Sequence, residues 1–188
     1  AIGPFQIYSN TFSALNFTGI ITTSPTVSGI SVSVGTGNNI YSNAINNISI
    51  GAATSSGSPV IRAINISGGV STNAYKNKIY GLTTAATGAS TLVSGVTISG
   101  GGTTTPFNAV YNNFIGDLRA SAATNTDAIR GINITSTTTL TTNNIYYNTV
   151  YITGGGGTNF GATGIFHTAS ATTTTATLNL RNNIIVNS

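Results

Sequence analysis

Acidic residues are what this chain lacks most: Asp117 and Asp127 are the only two among 188 residues. Charged residues of both signs make up 4% of the sequence, against about 25% in an ordinary soluble domain. A calcium site wants several oxygens, commonly two or more carboxylates, and a glycosidase wants a carboxylate pair at a defined separation. Asp117 follows a strand motif, Asp127 ends a loop, and no third acid supports them. Both therefore read as solvated residues, and the chain as a non-enzyme without metal or cofactor. Cysteine is absent, which excludes a disulfide framework, a thiolate zinc site and a cysteine nucleophile. The single histidine, His167, has no acid beside it for a triad and reads as a core histidine, or one near a terminal interface, satisfied by neighbouring Thr or Asn. No run of eighteen apolar residues exists, so no helix is expected to span a membrane. The six basic residues, Arg62, Lys76, Lys78, Arg119, Arg130 and Arg181, are scattered. With no basic run to follow a phosphate backbone, nucleic acid is not an expected partner.

What fills the space is Thr, Ser, Asn and Gly, and they are ordered. Gln6-Ile7-Tyr8-Ser9-Asn10-Thr11-Phe12 returns as Asn39-Ile40-Tyr41-Ser42-Asn43-Ala44-Ile45 and in four further copies. The second Asn of the motif stands at Asn10, Asn43, Asn77, Asn113, Asn148 and Asn183, in steps of 33 to 36 residues. The first Asn forms another column, Asn39, Asn73, Asn144 and Asn179, and the aromatic position is Tyr8, Tyr41, Tyr75, Tyr111 and Tyr146. Between these copies runs a second motif, Val27-x-Gly29-Ile30-x-Val32, whose small residue recurs as Gly29, Ala63, Gly95, Gly131 and Gly164.

Each period thus holds short apolar segments of β-branched residues separated by Gly/Thr/Ser loops, with no apolar stripe at helical spacing. A drifting period around a fixed motif is the signature of a solenoid. The expected fold is all-β: a parallel β-helix of between five and six turns of about 34 residues, one domain over 1–188. At a rung spacing of about 4.8 Å it would be a stub roughly 25 Å long. The Asn columns would hydrogen-bond along the axis as ladders, and Asn would supply the left-handed conformation of a sharp bend. The small residues would mark a tight corner or a packed crossing. The tyrosines, on the face opposite the core-facing Ile, would stack for stability or offer a sugar platform. Arg62 and Arg130 share a column with Ser94 between them and read as outward-pointing surface charges. The sequons at Asn16, Asn47, Asn65 and Asn133 are at chance level in so Asn- and Thr-rich a chain, and loop Thr and Ser could accept O-glycans.

The rungs and the closing Leu180-Arg181-Asn182-Asn183-Ile184-Ile185-Val186-Asn187-Ser188 resemble right-handed parallel β-helix repeat proteins of the pectate-lyase-like superfamily. More narrowly they resemble Thr/Asn/Gly-rich secreted or surface β-helix proteins of Bacteroidetes-type bacteria. The matching positions are core and corner residues, so the resemblance implies a fold. The superfamily's catalytic acids find no counterparts in this sequence.

Nothing at either end reads as an amphipathic cap, and both ends fall at the same phase of the repeat. That predicts a slice of a longer solenoid or a subunit stacking head to tail on copies of itself, a contact that does not close and so builds a filament. The expected function is a non-catalytic structural β-solenoid, extracellular or at the cell surface, in a fibre or an adhesin. The alternative is a glycan-binding or polysaccharide-degrading β-helix, with surface glycans as partners.

Overall fold

The repeated Asn motif is two strands rather than one, and the corner between them sets the whole architecture. Tyr41 ends one strand, Ser42 and Asn43 turn the chain, and Ala44 starts the next. In a computed structural model that describes residues 3–51, 55–100, 106–136, 140–168 and 177–188, this happens in every turn. The chain is a parallel β-solenoid of about five turns of about 34 residues, and the described residues contain no helix.

Three parallel sheets run along it. The first stacks Gln6–Tyr8, Thr36–Tyr41, Ser71–Tyr75, Phe107–Tyr111, Thr142–Tyr146 and Thr177–Arg181. The second stacks Thr26–Val32, Val60–Ile66, Leu92–Ile98, Ile129–Ile134 and Ala162–His167. The third begins just after each corner, at Thr11–Phe12, Ala44–Ile50, Lys78–Thr84, Phe114–Gly116, Thr149–Ile152 and Ile184–Asn187. Register keeps like over like: Ile40 pairs with Ala74 and Tyr41 with Tyr75, Ile64 with Val96, and Ile45 with Ile79.

The core follows from that register. Ile40, Val110 and Ile145 face inward from the first sheet, Ile64, Val96 and Ile132 from the second, and Ile45, Ile79, Ile115 and Val150 from the third, all fully buried. Each such side chain contributes about 1.5–3 kcal/mol of hydrophobic stabilisation. The second sheet breaks strict alternation. Ile61 and Ala63 point inward, and then so do Ile64 and Ile66, so the strand slips by one residue at the small position, as at a bulge. Every turn slips at the same place, which preserves the pairing on both sides of it.

Gly29, Ala63, Gly95, Gly131 and Gly164 share this position. They stand within strands, at a packed crossing where the third sheet's aliphatic file presses on the second. A Cβ on Gly131 would lie 2.3 Å from Val150 Cγ1 and 2.5 Å from the Gly164 carbonyl oxygen. Pro4, Pro25, Pro59 and Pro106 all lie outside the strands, where a missing N–H removes no ladder bond. The loops expected at 51–58, 99–107, 135–142 and 168–177 fall partly outside the described residues, and the Thr172–Thr175 run wholly so.

Candidate functional site: axial files and the outer arginine column

Asn10, Asn43, Asn77, Asn113, Asn148 and Asn183 form one axial file. In each rung the backbone N–H and Nδ2 donate together to Oδ1 of the next Asn: Asn43 to Asn77 at 3.1 and 3.0 Å, and Asn77 to Asn113 at 3.0 and 3.0 Å. The other Nδ2 hydrogen reaches back to a carbonyl of the preceding turn, Asn77 to Ile40 at 2.9 Å and Asn113 to Ala74 at 2.9 Å. Asn43, Asn77, Asn113 and Asn148 are no more than 2% exposed, with both carboxamide ends paired. A buried amide so satisfied costs little, whereas one stripped of a partner costs about 1–3 kcal/mol per group.

The ladder residue is not the left-handed one, which corrects the expectation above. Positive φ belongs to the residue before it: Ser9, Ser42, Lys76, Asn112, Tyr147 and Asn182, at 49–59°. That conformation turns the corner and costs roughly 1–2 kcal/mol in a non-glycine residue. The ladder bonds of the following Asn and the corner's own backbone pairs, such as Ser42 N–H to the Tyr75 carbonyl, oppose that cost.

On the outer face of the first sheet, Tyr8, Tyr41, Tyr75, Tyr111 and Tyr146 stack with centroids 4.8–5.1 Å apart and interplanar angles of 3–12°. Tyr147 closes against Tyr146 edge-on at 5.6 Å. Burial, then neighbouring phenols, push the Tyr41 and Tyr111 hydroxyls above their ordinary pKa. Beside the stack runs the half-buried column Asn39, Asn73, Asn144 and Asn179. Asn73 donates to Asn39 at 3.0 Å and Asn179 to Asn144 at 2.9 Å, but Ala109 interrupts the file between Asn73 and Asn144.

A further polar file lies on the inner face of the first sheet. Asn38, Thr72, Asn108 and Asn143 point into the solenoid and are at most 2% exposed. Asn38 bonds to Thr72 and Asn108 to Asn143, while Asn143 Nδ2 has no partner among the described residues. The signal was available: each stands five residues before a ladder Asn.

The two acids lie apart and are both committed to arginines. Asp117 has φ 51° and sits at a bend of the third sheet, stacked with Asn47 and Gly81, which are left-handed there too. Its carboxylate meets Arg119 Nε at 2.6 Å on the surface, a pair worth at most about 1 kcal/mol. Around it Asn16, Asn47, Ser49, Gly81 and Thr83 line a shallow groove of about 310 Å³. Asp127 is more enclosed, contrary to the expectation of a solvated loop residue. It accepts from Arg130 at 2.7–3.0 Å and from the Thr163 hydroxyl at 2.9 Å.

Arg130 also donates to Asn133 Oδ1 at 2.8 Å, and its guanidinium lies 3.5 Å over the Phe166 ring. Arg62, in the same column, has none of this. Its Nε is buried with no partner among the described residues, and burial lowers its pKa from the ordinary value. The two arginines are therefore not an equivalent pair of surface tips. His167 occupies the inward file below Ile134, half-buried, with Nε2 lacking the Thr or Asn partner expected for it among the described residues. Of the four sequons, Asn16 and Asn47 are exposed, while Asn65 and Asn133 are 7% and 2% exposed and hydrogen-bonded within the second sheet's outer face. Among the described residues no group of three or more His, Cys, Asp and Glu could hold a metal ion, and no helix is long and apolar enough to cross a membrane. No protein family, no curated protein and no solved structure matches this chain.

Proposed function

We propose that the chain is a non-catalytic structural β-solenoid whose outer rungs stack head to tail on copies of itself, building a fibre or part of an adhesin at or outside the cell surface. The observation that carries this reading is the polarity of the ladder. Every interior Asn donates toward its higher-numbered neighbour and accepts from its lower-numbered one. The rung of Asn183 therefore presents donors in the pattern that the rung of Asn10 accepts, and an unlike-to-unlike contact of this kind propagates instead of closing. The inward apolar files run through the outermost described rungs, where Leu180 and Ile185 are 51% and 45% exposed and Phe17 is 49% exposed. The scarcity of charge leaves little repulsion against axial stacking. Kinship with pectate-lyase-like β-helices and a bacterial surface origin belong to the same proposal and rest on the rung motif.

The test is negative-stain microscopy of the purified protein. Filaments with an axial repeat near 25–30 Å are expected; discrete particles at every concentration would overturn the reading. A second reading, a glycan-binding face, is favoured by the groove beside Asp117 and Arg119. Binding or cleavage of a polyuronate by unassembled protein, abolished by Arg119→Ala, would replace the first reading with this one.

A further inference from the structure

The second sheet carries the same outward position through five turns: Ser28, Arg62, Ser94, Arg130 and Thr163. Around Arg130 that column is complete. Asp127, three residues earlier, takes its Nε and Nη2, the Thr163 hydroxyl one rung below donates to the same carboxylate, and Asn133, three residues later, takes Nη1. Around Arg62 the same positions recur, but the acid is missing and the Ser94 hydroxyl is engaged by the Ile61 carbonyl and Thr97. Pro59 stands three residues before it, where Asp127 stands before Arg130. Ser94 lies one rung below, in the register position of Thr163, and Asn65 three residues later, in that of Asn133. Asn65 Oδ1 is already engaged by the Ser99 hydroxyl at 3.4 Å. Arg62 Nε has no partner among the described residues, and the chain's only two acids are held by Arg119 and Arg130.

We propose that Arg62 is a receptor for a carboxylate supplied from outside this solenoid, which meets the guanidinium from the outer face of the sheet, because buried Pro59 holds the position that Asp127 fills at Arg130. A buried guanidinium N–H without an acceptor is costly, and a carboxylate meets the guanidinium fork with two parallel bonds. Arginine suits this better than lysine, because its donors are fixed in one plane. The inference is independent of end-to-end stacking, since the second sheet's outer face remains lateral in a filament.

The experiment follows the Arg62 and Arg130 Nε–H resonances of the whole chain during titration with sodium acetate at constant ionic strength. A parallel titration uses inorganic phosphate, and another uses a blocked aspartate, N-acetyl-aspartyl-N-methylamide. The Arg62 signal should shift saturably with a midpoint of about 10–100 mM, the range one charge-assisted pair converts to. Arg130 should stay still. A midpoint for the blocked aspartate at or below that of acetate points to a protein side chain as the source; a tighter midpoint for acetate points to a small free acid. A response to phosphate alone, or equal shifts at both arginines, would overturn the proposal. Pro59→Asp should supply the acid internally and abolish the acetate response. Should that variant not fold, Arg62→Gln provides the check through melting temperature. Acetate should raise the wild-type value by about 2–4 °C over chloride and leave the variant unmoved; an equal rise in both would overturn the assignment.

Discussion

The interior Asn file and the outer Asn column are built from the same residue at the same axial repeat, yet they do different work. Asn77 makes a two-donor contact to the rung below, a bond back to the rung above, and accepts two bonds at Oδ1, all at 1% exposure. Asn73, four residues earlier, makes one bond to Asn39 across a half-buried surface, and its file stops at Ala109. Spacing places an amide on the axis; burial decides whether its loss matters. Inside, no water replaces a missing partner, while outside it does so at small cost.

Breaking the interior file should have the largest effect. Asn77→Ala removes the acceptor of the Asn43 N–H and Nδ2 and strands the Ile40 carbonyl, and should cost about 3–5 kcal/mol in chemical denaturation. Asn73→Ala should cost about 1 kcal/mol or less by the same measurement, because water reaches the site. A loss as large as that of Asn77→Ala would erase the distinction. Completing the outer column sharpens the contrast from the other side. Ala109→Asn gives Asn73 and Asn144 a common neighbour and should add about 0.5–1 kcal/mol.

The smallest effect is expected on the alkaline side, where water screens the half-exposed phenols of the same outer face. The folded-state pKa of Tyr41 and Tyr111 is raised, so the native chain holds protons that the unfolded chain releases. Their contribution is fully present below about pH 10 and is lost as pH rises through the raised values. Denaturation midpoints should be flat to about pH 10 and then fall, less steeply in Tyr41→Phe.

The fold was legible because a solenoid writes its register into the sequence: residues 33–36 apart are neighbours, so one Asn motif predicts the next. What was not legible lies within one turn. Residue preference points to Asn43 for the left-handed conformation, which Asn adopts more readily than Ser, yet Ser42 takes it while the Asn43 N–H and side chain are committed to the ladder. The corner hid inside the Asn motif because only two residues separate its strands, too few for a loop signal. Alternation could not reveal the slip at Gly95, which brings Val93 and Val96 inward together. Arg62 and Arg130 looked alike because their difference is set by Pro59 and Asp127, loop residues whose reach depends on the folded path. The inward Asn38 file is masked because a polar residue beside Asn39 reads as a loop, although its repeat stands in the sequence.

Hydrogen exchange of the Asn carboxamide protons, followed by NMR on the unmodified chain, tests most directly whether the interior file holds neighbouring turns together. The Nδ2 protons of Asn43, Asn77, Asn113 and Asn148 should outlast those of Asn39, Asn73, Asn144 and Asn179 by about a hundredfold, because they exchange only when adjacent rungs part. Equal exchange in the two sets would contradict it.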